Sequence, residues 1–368
     1  MLFCPGCDTL RGERCERMNR VLVLGAGTMG TALTVPLCQR GRVVNLWGTE
    51  FDDEVVRAMA ATRRHIQLEI TLPDGVTPFP ATELEPACQD VEMVVVAVAS
   101  VGVRAVMQQV APFLREGMII VSIAKGLEAD PESKEPLTME ALIESELPEA
   151  LRKRVPVVVV GGPSIAKEVA ECLPTEVIFA SKDLAVARYC RRAFTTPVYK
   201  VRVTTDVVGV ELCAALKNAF AVVLGMCDGI KGRMSSPVEM HNAKATLLWG
   251  GVMEMARIVK AMGGREETVL GPAGVGDLYV TAAGGRTRLF GEMVGSGQSP
   301  KEALKEMARR RLTVEAYPAT NKGYKLVQVL DREGRLSLDD LPLLQQIHAV
   351  LFKGKTAEAA IWDYFAAL

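Results

Sequence analysis

Arg20-Val-Leu-Val-Leu24-Gly25-Ala26-Gly27-Thr28-Met29-Gly30 is the stretch whose reading decides the fold. Its first five residues form a short apolar run without polar alternation, the habit of a parallel strand buried on both faces. The run stops at the first of three glycines spaced G-x-G-x-x-G, and a helical pattern begins at Thr28. A glycine triplet alone is a weak signal; between a strand and a helix it is a dinucleotide-binding fingerprint. Gly25 permits the tight turn, Gly27 lets backbone approach a pyrophosphate, and Gly30 lets the helix pack against the strand. Thr28 and Met29 open the helix, where unpaired amides and the helix dipole favour an anion. Gly25, Gly27, Thr28, Met29 and Gly30 are therefore the candidate cofactor loop. Pro36 falls inside the predicted helix 28–39, where it kinks the helix or removes one backbone bond.

Outward from the loop, apolar runs recur at 43–47, 91–98, 118–123, 155–160 and 176–180, mostly with helical stretches between them. Strand–helix alternation predicts an α/β, Rossmann-type doubly wound parallel sheet. The second run ends at Trp47. Glu50 follows about 20 residues past the fingerprint, the usual place of the acid that bonds a ribose 2′-hydroxyl. No arginine stands at 48–50 to take a 2′-phosphate. NAD is the cofactor expected, and Arg63 and Arg64 leave NADP open.

The pattern changes near Thr204-Thr205-Asp206. Beyond it, apolar residues recur at three and four along 207–224, 243–262, 300–307 and 321–330, with breakers such as Gly263-Gly264 and Gly295-Ser296-Gly297 between them. That period predicts an all-α C-terminal domain. Residues 18–204 are thus read as the dinucleotide-binding domain and 205–368 as a helical substrate and catalytic domain. Gly271-Pro-Ala-Gly274-Val-Gly276, although glycine-rich, reads as a tight loop placing Asp277. Residues 1–17 read as a disordered extension. They carry Cys4, Cys7 and Cys15, but no nearby pair completes four zinc ligands, and no metal is expected.

Composition narrows the class. The 368 residues are 49% hydrophobic and 24% charged, with a formal net charge of −1. These values fit a globular chain with a large core and lack the basic footprint of nucleic-acid or membrane-surface binders. No apolar run is read as reaching the roughly 18 residues that span a bilayer. The nine cysteines are odd in number, and Cys38, Cys190, Cys213 and Cys227 sit in apolar stretches. They are expected to be free thiols in a reducing cytoplasm.

Five motifs then stand in order: Gly25 to Gly30; Lys125-Gly126 after an apolar strand; Gly162-Pro-Ser164-Ile-Ala166-Lys-Glu-Val169; Val210-Glu211-Leu-Cys-Ala-Ala-Leu-Lys217-Asn218; and Gly276-Asp277-Leu-Tyr-Val-Thr281. Together they resemble the NAD(P)-dependent glycerol-3-phosphate dehydrogenase family, over nearly all the chain from Arg20. The resemblance implies an active site between the two domains and a small phosphorylated substrate, in a cytoplasmic homodimer that serves glycerophospholipid synthesis or redox balance. Lys217 looks like the family's catalytic base. Lys125, Asn218, Asp277 and Thr281 look like the polar shell of the substrate, and Lys125 also like a cofactor contact. Gly162 and Ser164 look like substrate contacts, and Ala166 like a cofactor contact. Arg286, beside Gly285, looks like the arginine that reaches substrate phosphate and cofactor, and Glu315 like a contact near the carboxamide end. One departure stands out. Bacterial members read Ser-Arg-Asn and eukaryotic ones Gly-Gly-Arg-Asn, whereas this chain reads Gly284-Gly285-Arg286-Thr287. Gly285 and Thr287 are nonetheless read, with Arg286, as substrate contacts: a threonine hydroxyl can donate one hydrogen bond to a phosphate where an amide offers two.

The residue types suit the chemistry. Oxidising a secondary alcohol requires a hydride to leave carbon and a proton to leave oxygen. A free lysine, with a pKa near ~10.4, is a poor base at neutral pH. Desolvation or a second ammonium such as Lys125 lowers that value, while Asp277 orients the lysine and opposes the lowering. Arg286 suits phosphate because its planar fork binds two oxygens. Two alternatives remain at this point: a dehydrogenase of another phosphorylated polyol, and a dinucleotide-binding regulator without turnover. His65, His241 and His348 are isolated in sequence and read as structural or surface residues.

Overall fold

A computed structural model describes residues 20–130, 133, 135–234 and 239–368. The extension over 1–17, with its three cysteines, lies outside the described residues.

An eight-stranded sheet organises the first half. In chain order its strands are β1 (Arg20–Leu24), β2 (Val43–Trp47), β3 (Val76–Phe79), β4 (Val91–Val96), β5 (Ile119–Ser122), β6 (Val157–Gly161), β7 (Thr175–Ala180) and β8 (Tyr199–Thr204). Side by side they run β8-β7-β6-β5-β4-β1-β2-β3. Read from β3 to β6, this is the doubly wound order 3-2-1-4-5-6 with every neighbouring pair parallel, and the direction of winding reverses between β1 and β4. The expected parallel run is broken at one place: β7 is antiparallel to β6. The connection carries only a five-residue helix, Ala166–Ala170. Such a helix rises about 7.5 Å, too little to return the chain to the far end of the sheet. Two strands escape the apolar-run reading because both lie at sheet edges. β3 carries Pro78, which an edge strand tolerates. β8 alternates buried Tyr199 and Val201 with exposed Lys200 and Arg202.

The helix α1 (Thr28–Gln39) keeps Pro36 near its C-terminal end and remains continuous. Beyond β8 the chain is helical. The elements that build the site are α2 (Val207–Lys231), α3 (His241–Ala261), α4 (Asp277–Ala283), α5 (Gly285–Gly295) and α6 (Ala316–Arg332). Asp206 caps α2, its Oδ1 accepting the Gly209 N–H at 3.0 Å. By length and composition α2 would suffice to cross a bilayer, which the sequence reading missed, but nearly all of it is enclosed by protein. A helix apolar all round belongs in the core of a large domain. One face of the sheet shares a continuous apolar core with these helices, a core that holds Leu22, Val96 and Val159 together with Val210, Phe220 and Ile258. Val21, Val23 and Leu33 belong to a second core on the other face.

Glycines set the distance between α2 and α5. A Cβ on Gly291 would stand 2.3 Å from the Val222 carbonyl oxygen, and one on Gly295 2.1 Å from that of Met226. Both pairs are separated by the same interval (291 − 222 and 295 − 226 are each 69), so the two helices run parallel and meet every fourth residue. Gly291→Ala is expected to lower the thermal midpoint by several degrees, because overpacking of about 1–3 kcal/mol exceeds the ~1 kcal/mol gained in helix propensity. Gly102→Ala, where the nearest atom would be 3.8 Å from the new Cβ, should raise the midpoint. Thermal melts by circular dichroism decide; a gain at Gly291 equal to that at Gly102 would contradict the backbone contact.

Candidate active site

The glycine loop lies where the sheet's winding reverses. Gly25 has φ +110°, a conformation that favours glycine. A Cβ on Gly30 would stand 2.1 Å from the Gly25 carbonyl oxygen, so the helix can close on the strand only without a side chain there. A Cβ on Gly27 would meet nothing within 4 Å, so the loop is open toward the space in front of α1. No side chain caps α1, and its first turn holds no acid. Those amides therefore keep their full pull on an anion, and the loop fits a dinucleotide pyrophosphate.

Two lysines and one aspartate converge beyond the carboxyl ends of the strands. Lys125 follows β5, Lys217 lies midway along α2, and Asp277 opens α4 after the turn of Pro272–Gly276. Lys217 Nζ donates to Asp277 Oδ1 at 2.5 Å. Lys125 Nζ donates to Asp277 Oδ2 at 2.7 Å and to the Gly162 carbonyl at 3.1 Å. The Lys217 and Asp277 side chains are 9% and 2% exposed, so both charges are largely desolvated. Burial, reinforced by the Lys125 ammonium, lowers the Lys217 pKa to about 8 against the opposing pull of Asp277. Burial alone would raise the Asp277 carboxyl; the two ammoniums outweigh it and hold the carboxyl below its ordinary range. With one carboxylate between two ammoniums, the cluster carries an excess positive charge.

A second bonded set begins one residue further along α2. Asn218 Nδ2 donates to Glu315 Oε2 at 2.9 Å, and Thr287 Oγ1 donates to Asn218 Oδ1 at 2.7 Å. Arg286 Nη2 lies 3.1 Å from Glu315 Oε1, and Arg286 also donates to the Thr313 hydroxyl. Gly285 has φ +82° and opens α5, whose N-terminus has neither a side-chain cap nor an acid in its first turn. Arg286 therefore stands at a second helix end suited to an anion.

The remaining expected residues fall at different distances from this chemistry. Gly162, with φ +115°, presents its carbonyl to Lys125. The Ser164 hydroxyl lies 3.7 Å from the Met29 sulfur, and Ala166 and Met29 border the same core, so the loop after β6 adjoins the glycine loop. The Thr281 hydroxyl is spent on the Asp277 carbonyl at 2.7 Å. Glu50 lies exposed on the turn after β2. The acid that reaches back to the glycine loop is instead Asp52, whose Oδ2 accepts from Thr49 N and Thr49 Oγ1, each at 2.9 Å, and from Ala26 N at 3.4 Å. Arg63 is occupied by the carbonyls of Pro73 and Val76 at 2.6 and 2.7 Å.

Two residues at the loop were missed in sequence. Asp52 carries a local signal, since it precedes the helix Asp53–Thr62 at its N-cap position. His65 carries none. It is fully buried, and its Nδ1 accepts from the N–H groups of Gln67 and Leu68 at 3.2 and 3.1 Å. That assigns the proton to Nε2, which donates to the Ala26 carbonyl at 3.2 Å. Among the described residues no group of three or more His, Cys, Asp or Glu side chains could hold a metal ion.

Known proteins are similar to this chain in sequence and in fold. The profile of the NAD-dependent glycerol-3-phosphate dehydrogenase N-terminus matches residues 20–187, and that of its C-terminus residues 206–362. An NADP(+)-dependent glycerol-3-phosphate dehydrogenase from Archaeoglobus fulgidus is 37% identical over 93% of this chain and 98% of its own. A glycerol-3-phosphate dehydrogenase [NAD(P)+] from Geobacter sulfurreducens is 35% identical over 94% and 96%. The crystal structure of a glycerol-3-phosphate dehydrogenase from Coxiella burnetii superimposes with a TM-score of 0.78 at 28% identity, covering 94% of this chain and 98% of that one. With the glycine loop at the switch point and matches that run through both halves, this chain is an NAD(P)-dependent oxidoreductase and belongs to the NAD-dependent glycerol-3-phosphate dehydrogenase family.

Proposed function

We propose that the protein interconverts sn-glycerol 3-phosphate and dihydroxyacetone phosphate, with Lys217 as the acid–base group at C2. The Lys217–Asp277–Lys125 cluster, with Lys217 and Asp277 buried, is the observation that carries this reading. When bound, the nicotinamide cofactor supplies the hydride acceptor or donor. In the oxidising direction neutral Lys217 takes the proton of the C2 hydroxyl; in the reducing direction its ammonium delivers that proton to the carbonyl oxygen. A pKa of about 8 leaves both forms accessible near neutrality, which an unperturbed lysine would not. Asp277 orients the amine, and the excess positive charge of the cluster favours an anionic substrate. Arg286 and the amides at the start of α5 hold the phosphate, with Lys125, Gly162, Ser164 and Asn218 along the rest of the substrate.

We further propose NAD(H) as the preferred cofactor. The Asp52 carboxylate beside the loop opposes a 2′-phosphate, and Arg63 is already bonded to backbone carbonyls. The A. fulgidus relative is by name NADP(+)-dependent, so this chain would differ from it. A cytoplasmic homodimer supplying the glycerol 3-phosphate of phospholipid synthesis completes the reading. Trp249 and Trp362, 59% and 64% exposed on the helical half, suit a covered face. Light scattering tests the dimer, and a mass of one chain would exclude it.

Lys217→Ala should lower kcat with dihydroxyacetone phosphate by about 10²–10⁴ while NADH binding persists; full activity would remove Lys217 from the mechanism. The pH profile has a defined sign. Because protonated Lys217 is the acid for reduction, kcat/KM for dihydroxyacetone phosphate should fall above pH about 8, and oxidation should rise through the same range. Asp277→Asn leaves Lys125 unopposed, so the fall should move to lower pH; a shift to higher pH would refute the charge argument. On the cofactor, kcat/KM with NADH should exceed that with NADPH, and the reverse order would refute the role given to Asp52.

A further inference from the structure

Thr287 stands where the family's sequence pattern carries asparagine, and its surroundings give it a task of its own. It lies at the third residue of α5, one helical step of four before Gly291 and two before Gly295. Those two glycines press against Val222 and Met226 of α2. Thr287 continues the ladder: its bonded partner Asn218 is four residues before Val222, at the same separation of 69. The Thr287 side chain therefore sits on the stripe of α5 that faces α2, and Thr287 is buried, 5% exposed. Its hydroxyl has one hydrogen, and that hydrogen is given to Asn218 Oδ1 at 2.7 Å. What remains on the oxygen are lone pairs, which repel a phosphate oxygen. The neighbouring Arg286, by contrast, is exposed.

The bond with Asn218 has consequences further along. The Glu315 carboxylate only accepts and so takes Nδ2, which turns Oδ1 toward the Thr287 hydroxyl; that hydroxyl then donates and anchors the amide from the other side. That nitrogen donates to Glu315 Oε2 at 2.9 Å, and Glu315 Oε1 accepts from Arg286 Nη2 at 3.1 Å. A chain of hydrogen bonds thus runs from the packed helix interface to the exposed guanidinium. We propose that Thr287 is a positioning residue rather than a phosphate ligand: its hydroxyl fixes the Asn218 amide, and through Glu315 it aims Arg286 at the phosphate of the substrate. This rests on the assignment above of Asn218 and Arg286 to the substrate.

A double-mutant cycle tests it. Thr287→Val keeps the shape and the backbone amide and removes only the hydroxyl; Thr287→Ser keeps the hydroxyl. The cycle pairs Thr287→Val with Asn218→Ala, reading kcat and KM for dihydroxyacetone phosphate and the dissociation constant of glycerol 3-phosphate by calorimetry, which an inactive variant still reports. Loss of one hydrogen bond should cost about fivefold to tenfold in kcat/KM, mostly in KM. Thr287→Ser should stay within about twofold of wild type, and in the Asn218→Ala background Thr287→Val should change affinity by less than about twofold, since its partner is gone. The same fivefold to tenfold loss in both backgrounds would make Thr287 a direct ligand and overturn the assignment, as would a serine variant as weak as the valine one. Thr287→Ala, which cannot clash with α2, replaces the valine variant in the cycle if that variant does not fold. A wild-type protein inactive on dihydroxyacetone phosphate overturns the function proposed above and this assignment with it; an active wild type with an additive cycle overturns this assignment alone.

Discussion

A buried ammonium and a half-buried one share one buried carboxylate, and each of the three comes from a different part of the chain. Lys125 leaves the end of β5, Lys217 is in the middle of α2, and Asp277 starts α4. Removing one partner of a buried ion pair costs about 3–5 kcal/mol, so the three elements hold one another in place. The arrangement is also unbalanced in charge, which suits the acid–base role proposed for Lys217. A lysine paired one-to-one with an acid stays protonated; a second ammonium and burial together bring Lys217 within reach of deprotonation.

Placing that lysine is the work of α2. A charged side chain in the centre of an apolar helix is largely desolvated, so its partner must be brought to it. The helix can be this deeply enclosed because α5 lies against it backbone to backbone at Val222, Met226 and Gly229. Its N-terminal end is tied by other means. Asp206 caps its start, and Glu211 Oε1 accepts the backbone N–H of Glu140 at 2.7 Å, joining α2 to the helix Met139–Glu146 of the sheet half. Burial pushes the Glu211 carboxyl up to about 8, against the hydrogen bond from the Glu140 N–H. The lysine, its asparagine neighbour and the arginine of α5 are therefore set by one rigid pair of helices.

The cofactor side is built on a different physical basis. There the groups suited to an anion are backbone amides, and side chains hold that backbone. Gly25 and Gly30 bring strand and helix together, the uncapped start of α1 faces open space, and Asp52 and His65 bond the two sides of Ala26. The Ala26 N–H and carbonyl are thus both occupied, and the loop is fixed before any anion arrives.

How much of this was legible in the sequence follows from the range of each interaction. The Rossmann half and the helical half were readable because apolar periodicity and glycine spacing are local, set by the 2.0- and 3.6-residue repeats of strand and helix. Lys217 was legible for the same reason: a lysine within an apolar helix is anomalous in its own neighbourhood. Edge strands were not, because β3 and β8 carry a proline or exposed charges that a central strand excludes. The antiparallel turn of β7 follows from a helix too short to cross the sheet, visible only once its length is known. Asp52 was not legible, because counting residues fixes distance along the chain and not the turn that brings a side chain against the loop backbone. Tertiary structure alone decided which side chains share a bond. His65 meets Ala26, Asp277 divides itself between two lysines, and Thr287 turns toward Asn218, each across dozens of residues. Periodicity says which face of an element is buried; only packing says what that face meets.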